Sequence, residues 1–295
     1  MFKRVLSVYK SQGLRGIFAE LLHRPVRKKA ACFPVCEELL SKGVGLEIGG
    51  PSTVFKKRRI LPVYPILKRL DNCNFSDKTI WEGTINDGIT FQYDKKRPLG
   101  RQYICEATIL QNIASAQYDF ILSSHVLEHI ANPLHALSEW MRVLKEEGIL
   151  VLVVPHKDGT FDHKRPVTTL KHFVEDFEKG TTEKDLTHLQ EILKLHDLEK
   201  DPGAGTFEQF KQRSENNFEN RCLHHHVFNT ALVLQIVHHM NLRMLAVEPI
   251  LPYHIVVIAQ KLLTGHLPDN QLFIGDKTEY RYQSPFVSDR LTPEP

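Results

Sequence analysis

The stretch Gly45-Leu46-Glu47-Ile48-Gly49-Gly50-Pro51-Ser52 decides how the rest of the chain is read. A short apolar run over residues 44–48 ends on two glycines and a proline. Such a run reads as a buried strand, and its end as a tight turn. Residues without a Cβ let the backbone come close to a bound ligand. The helix expected after the turn would present free N–H groups to polar ligand atoms. Taken alone, a glycine turn after a strand marks only an α/β protein.

Working outward, the same rhythm recurs. Residues 103–105 and 119–123 read as short strands. Leu134, Leu137, Trp140, Met141 and Leu144 stand at helical spacing, with Pro133 at the start and Gly148 after the end. Residues 149–154 form a continuous apolar run, as in a parallel strand covered on both faces. Strand, helix, strand in this order is a βαβ unit.

Residues 157–226 break the rhythm with many charges, many histidines, Gly180 and the loop Asp201-Pro202-Gly203-Ala204-Gly205. This segment reads as a mostly helical insertion. A helix over 227–239 and strands over 243–247 and 254–259, joined as a hairpin, resume the core pattern. Beyond about Thr264 the chain is turn-rich and expected to be loose. At the other end, residues 2–22 read as an amphipathic helix, followed by a basic stretch over 24–29. That helix is expected to pack on the main domain, with a membrane-surface or partner contact as the other reading.

Composition narrows the class. The chain has 295 residues, 25% of them charged, and a net charge of +3, too weak to indicate a nucleic-acid partner. The five cysteines are scattered and odd in number, which suits reduced thiols and a cytoplasmic location. No apolar run is long enough for a membrane span.

Two further segments carry a resemblance. Tyr118-Asp119-Phe120-Ile121-Leu122-Ser123-Ser124-His125-Val126-Leu127-Glu128-His129 is similar to the fourth strand and following helix of the class I S-adenosylmethionine-dependent methyltransferases, in their small-molecule, type 11-like branch. Residues 136–155 resemble the next helix and strand of that family. The first-strand motif matches at Glu47 and Gly49, while Pro51 and Thr53 stand where further glycines are usual. The resemblance implies a Rossmann-like, doubly wound, mostly parallel seven-stranded sheet, with a helical insertion after the fifth strand and an N-terminal helix. The expected organisation is an extension over 1–40, a methyltransferase domain over 41–264 with a lid at about 157–226, and a tail over 265–295.

The resemblance also implies roles. S-adenosyl-L-methionine would be the cofactor. Glu47 would organise the glycine loop, and Gly49, Gly50 and Pro51 would admit the cofactor's amino-acid end. Asp71 would grip the ribose diol, since a carboxylate accepts two hydrogen bonds. Glu106 and Ala107 would meet the adenine, and Ser124 and His125 would stand beside the methyl donor. His129 reads as helix packing.

A base for the acceptor's proton is expected beyond the fifth strand, which points to His156, Asp162 and His163 as catalytic candidates. The run His224-His225-His226, with Asp158, Asp162, His163, Asp185 and His188, contains metal-ligand types. Its spacing fits no closed zinc pattern, so no metal is assigned. The function expected is methylation of a small molecule or saccharide at oxygen or nitrogen. A non-catalytic cofactor-binding module and a nucleotide-linked oxidoreductase are the alternatives. Ser123-Ser124-His125 replaces the Asn/Asp-Pro-Pro-Tyr sequence of nucleic-acid methylating branches, so no nucleic-acid acceptor is expected.

Overall fold

The computed structural model describes residues 29–275 and 278–290; the helix expected over residues 2–22 lies outside them. Helix α1 (Phe33–Leu40) leads into β1 (Val44–Ile48). Then come β2 (Arg69–Asn74), a small hairpin of β3 (Lys78–Thr79) and β4 (Gly83–Thr84), β5 (Gly88–Phe91), β6 (Gly100–Ile104) and β7 (Tyr118–Ser124). Helix α2 (Pro133–Val143) connects to β8 (Leu144–Pro155). Four helices follow: α3 (Leu170–Lys179), α4 (Leu189–Leu195), α5 (Phe207–Glu215) and α6 (Asn217–Asn220). The core closes with α7 (Thr230–His239), β9 (Leu242–Ile250) and β10 (His254–Lys261), and two short helices end it, α8 (Glu279–Gln283) and α9 (Val287–Arg290). No helix among the described residues is long and apolar enough to cross a membrane.

The sheet order is β5-β6-β2-β1-β7-β8-β10-β9. Pairings from β6 through β8 are parallel, whereas β5 and the β9–β10 hairpin pair antiparallel. The sheet is Rossmann-like, but it has eight strands where seven were expected. The added strand is β5, a short edge strand; in it and just after it Ile89, Phe91 and Tyr93 alternate with Thr90 and Gln92, Ile89 exposed and Phe91 and Tyr93 buried. Sequential order reverses between β1 and β7. In open α/β sheets that switch point opens a crevice at the carboxyl ends of the strands.

The strands alternate between two core layers, as the two-residue period of a pleated strand requires. Leu150, Leu152 and Val154 of β8 join one apolar cluster with Trp140 and Phe228. Ile149, Val151 and Val153 join the other with Phe33, Phe55 and Tyr64. A Cβ at Gly45 would lie 1.9 Å from the Phe120 ring, so glycine is what lets that ring pack on β1.

Three expectations are corrected. After the β1 turn there is no full helix, only a 3-10 turn at Thr53–Phe55. Pro62 and Pro65 forbid a continuous helix there, and the buried residues Phe55, Leu61, Val63 and Tyr64 plug one face of the sheet instead. After β7 the chain makes another 3-10 turn, Leu127–His129, in place of a helix. The C-terminal segment is not loose over its described part. Phe286 is buried and stacks on His156 at 3.9 Å, and Asp289 accepts from Thr230 Oγ1 at 2.6 Å.

Between β8 and α7 the chain is helical, as read. Its helices enclose a small core of Ile192, Ala204, Phe210 and Leu223. Gly180 caps α3 in the left-handed conformation, and Thr206 with Gln209 forms a capping box at α5.

Candidate active site

A cleft of about 640 Å³ opens at the carboxyl ends of the central strands. Its floor is the bend after β1. Gly49 has φ +76°, and a Cβ there would lie 2.6 Å from Val126 Cγ2. A Cβ at Gly50 would meet the Glu47 carboxyl at 2.3 Å, so two successive residues carry no side chain for two different reasons. Asn72 locks the bend, accepting from Gly50 N at 2.9 Å and donating to Gly50 O at 3.1 Å.

Glu47 is fully buried beneath the bend. It accepts from Tyr64 Oη at 2.7 Å and from Ser52 N at 3.0 Å. Burial pushes its carboxyl up to about 7, against the pull of those hydrogen bonds. Glu47 therefore holds the loop from behind and does not line the cleft.

Asp71 is not in the cleft. It lies three residues short of the end of β2, buried, where its carboxylate accepts from Arg101 N at 2.8 Å and Tyr118 Oη at 3.0 Å. Those donors engage it inside the sheet. The groups from this side that reach the cleft are Asn74, at the end of β2, and Glu82, between β3 and β4. Sequence reasoning missed both: an asparagine at a strand end carries no charge signal, and Glu82 is brought in by the three-residue turn of a small hairpin.

Glu106 and Ala107 do line the cleft. Glu106 Oε1 is paired with Arg221 at 2.6 Å, and Arg221 also reaches Glu183 at 2.9 Å. Burial raises the Glu106 carboxyl, and the guanidinium only partly offsets this. Ala107 O accepts from the buried Trp140 Nε1 at 3.0 Å, which fixes the wall. Ser124 Oγ and Ser52 Oγ are buried at the cleft with no hydrogen-bond partner among the described residues. His125 takes a left-handed φ of +57°, and its Nε2 lies 2.9 Å from His254 Nδ1.

The catalytic candidates are placed differently from expectation. His156 is fully buried away from the cleft, between Phe286 and Asp289. His163 pairs with Asp197 at 2.7 Å, also away from the cleft. Asp162 is one layer behind the wall, because adjacent side chains diverge and it serves His224 instead of His163. His224 Nδ1 lies 2.5 Å from Asp162 Oδ2, while Arg165 holds Asp162 Oδ1 at 2.9 Å.

The residues at the wall are Glu128, His129 and His224, whose nearest polar atoms all lie within 4.8 Å of one another. Burial alone would raise the Glu128 carboxyl, but the hydrogen bond from His125 and the fields of His129 and His224 bring it below its usual range. Burial, followed by the field of His224, pushes His129 down to about 4. For His224, burial lowers the imidazole but the Asp162 carboxylate overrides it, so the ring is raised. His129, read from sequence as helix packing, is thus a wall residue, with Nδ1 donating to Leu223 O at 3.0 Å. The His224-His225-His226 run was the one signal in the sequence that pointed to this wall.

Residues 90–152 match the family model of a methyltransferase domain. Solved structures similar to this chain include a SAM-dependent methyltransferase from Aquifex aeolicus, 14% identical, covering 82% of this chain and 96% of that one, with a TM-score of 0.39. Another, from Methanosarcina mazei, is 15% identical over 78% of this chain and 98% of that one, with a TM-score of 0.43. A third is the 1,6-didemethyltoxoflavin-N1-methyltransferase of Burkholderia thailandensis, 13% identical over 85% and 88%, with a TM-score of 0.42. No curated protein matches the chain. The strand order is Rossmann-like, and residues 90–152 within it match a methyltransferase domain.

Proposed function

We propose that the cleft methylates an oxygen or nitrogen of a small polar acceptor, with a saccharide as the favoured class and His224 as the base. The cofactor, when bound, supplies a methyl group already activated on a positive sulfur, so positioning accounts for much of the acceleration. The chain fits it. Gly49 lines the cleft at the bend and offers its backbone to the amino-acid end, Gly50 lets the bend close on Glu47, and the hydroxyls of Ser52 and Ser124, without a hydrogen-bond partner among the described residues, have hydrogen bonds to give. Asn74 and Glu82 are the groups proposed for a ribose diol, in place of Asp71. Glu106 keeps one carboxylate oxygen beyond its Arg221 pair for an amino group.

The observation that carries the base assignment is the 2.5 Å contact between His224 Nδ1 and Asp162. With Nδ1 held by a carboxylate, Nε2 is the nitrogen that takes the acceptor's proton. Asp162 orients the ring and is itself fixed by Arg165. Trp81, Phe161 and Tyr253 line the same cleft as Glu128 and His129. Aromatic plates beside hydrogen-bonding acids suit the alternating C–H and O–H surfaces of a sugar. The test is transfer of a labelled methyl group to a panel of sugars, amino sugars and flat phenols. Labelling of sugars by the native protein and its loss in His224→Ala would support the reading. Labelling of flat phenols alone, or a full rate in His224→Ala, would overturn it.

A further inference from the structure

We propose that His172, Asp176, His188 and His226 bind a divalent zinc-type ion that clamps the helical segment after β8 to the core. None of the four lines the cleft, and the inference does not depend on the proposed reaction. His172 and Asp176 are four residues apart on α3, and so share one face of it. His188 is the residue before α4, and His226 belongs to the segment entering α7, where it packs on Phe173 at 4.5 Å. Sequence spacing hides the set, because its members come from three separate elements.

The donors are already gathered. His172 Nε2 lies 2.9 Å from His188 Nε2 and 3.2 Å from Asp176 Oδ2. One ligand atom from each of the three histidines lies within 4.8 Å of the others, and Asp176 Oδ2 lies beside the His226 ring, 3.9 Å from the Nε2 that faces Ala131 O. Tetrahedral zinc with bonds of 2.0–2.1 Å sets its ligand atoms about 3.3 Å apart. Protons alone serve these contacts poorly. A proton on His172 Nε2 must be shared between Asp176 and His188, while one on His188 leaves a lone pair of His172 facing the carboxylate. A cation between them meets every lone pair.

The outward atoms show the pattern of ligands held from behind. Asp176 Oδ1 accepts from Thr181 Oγ1 at 3.0 Å, while Oδ2 is buried with no hydrogen-bond partner among the described residues. His226 Nε2 lies 3.3 Å from Ala131 O, which can only accept, so the proton is on Nε2 and the lone pair on Nδ1. That Nδ1 is buried and has no hydrogen-bond partner among the described residues either. Three imidazoles, with the Asp176 carboxylate 3.2 Å from the His172 ring as the nearest further donor, make a ligand set of the kind that stabilises a fold.

The test is metal analysis of tag-free protein loaded with zinc and desalted, beside His188→Ala, Asp176→Asn and the cleft variant Glu128→Gln. About one zinc per chain is expected in the native protein and in Glu128→Gln, with affinity weakened roughly a hundredfold or more in the other two. The cobalt-loaded native protein should show the intense visible bands of a tetrahedral site. If a ligand variant fails to fold, the native protein decides: zinc should raise its melting temperature after chelation, and a chelator should lower it. No retained zinc in the native protein, no melting shift, or zinc lost in Glu128→Gln but kept in His188→Ala would overturn the proposal.

Discussion

Two histidine clusters stand on opposite sides of the same short segment, and they differ in what the second ring nitrogen does. At the cleft wall, His224 gives one nitrogen to Asp162 and His129 gives one to Leu223 O. Each ring is held by the protein and keeps its other nitrogen for the cleft. Behind the wall, His172 and His188 face each other nitrogen to nitrogen, with Asp176 beside them. The first arrangement suits proton transfer to something that comes and goes; the second suits an ion that stays. Counting histidines does not separate the two, whereas the hydrogen bond made by the second nitrogen does.

The largest effect expected from breaking this contrast is at His224. His224→Ala should lower kcat about 10²- to 10⁴-fold, with cofactor affinity unchanged in calorimetry. His172→Ala should instead lower thermal stability and leave kcat nearly intact at temperatures where the variant is folded. Equal losses of kcat in both would erase the distinction. Phe286→Ala removes the ring on which His156 stacks and should destabilise the domain by about 3 kcal/mol in urea unfolding. A null result there would return the C-terminal segment to the loose state first expected of it.

Asp162→Asn tests orientation more gently and should lower kcat about 10- to 100-fold, as loss of a supporting partner does. The smallest effect concerns pH. The folded His129 titrates near 4 against 6.5 when unfolded, so the unfolded chain binds its proton first as pH falls. Its stabilising contribution is complete above 6.5 and is lost between 6.5 and 4. The melting temperature of His129→Gln should therefore fall less steeply over that window than that of the native protein.

The fold was legible where period and length were strong. β1, β7, α2, β8 and the closing hairpin follow from apolar runs and helical spacing, and the glycine bend from its residue types. Edge strand β5 did carry a short alternation, Ile89, Phe91 and Tyr93 against Thr90 and Gln92, but a four-residue strand is too brief for that signal to stand out. The missing helix after β1 could have been doubted from Pro62 and Pro65.

At the site, Gly49, Glu106, Ala107, Ser124 and His125 line the cleft, and Glu47 and Gly50 lie beneath its floor. Asp71, His156 and His163 do not reach it. A strand end is located only to within a few residues, and a side chain three residues early points into the sheet. Neighbours in sequence such as Asp162 and His163 diverge, whereas Asp162 and His224, 62 residues apart, meet. No spacing rule anticipates that meeting.

The central claim is that the bare bend after β1 receives the methionine end of the cofactor. Calorimetric titration of S-adenosyl-L-methionine into the native protein and into Gly49→Arg tests it most directly. Saturable one-site binding that disappears in Gly49→Arg is the expected result. No heat from the native protein, or equal binding by both, would contradict it.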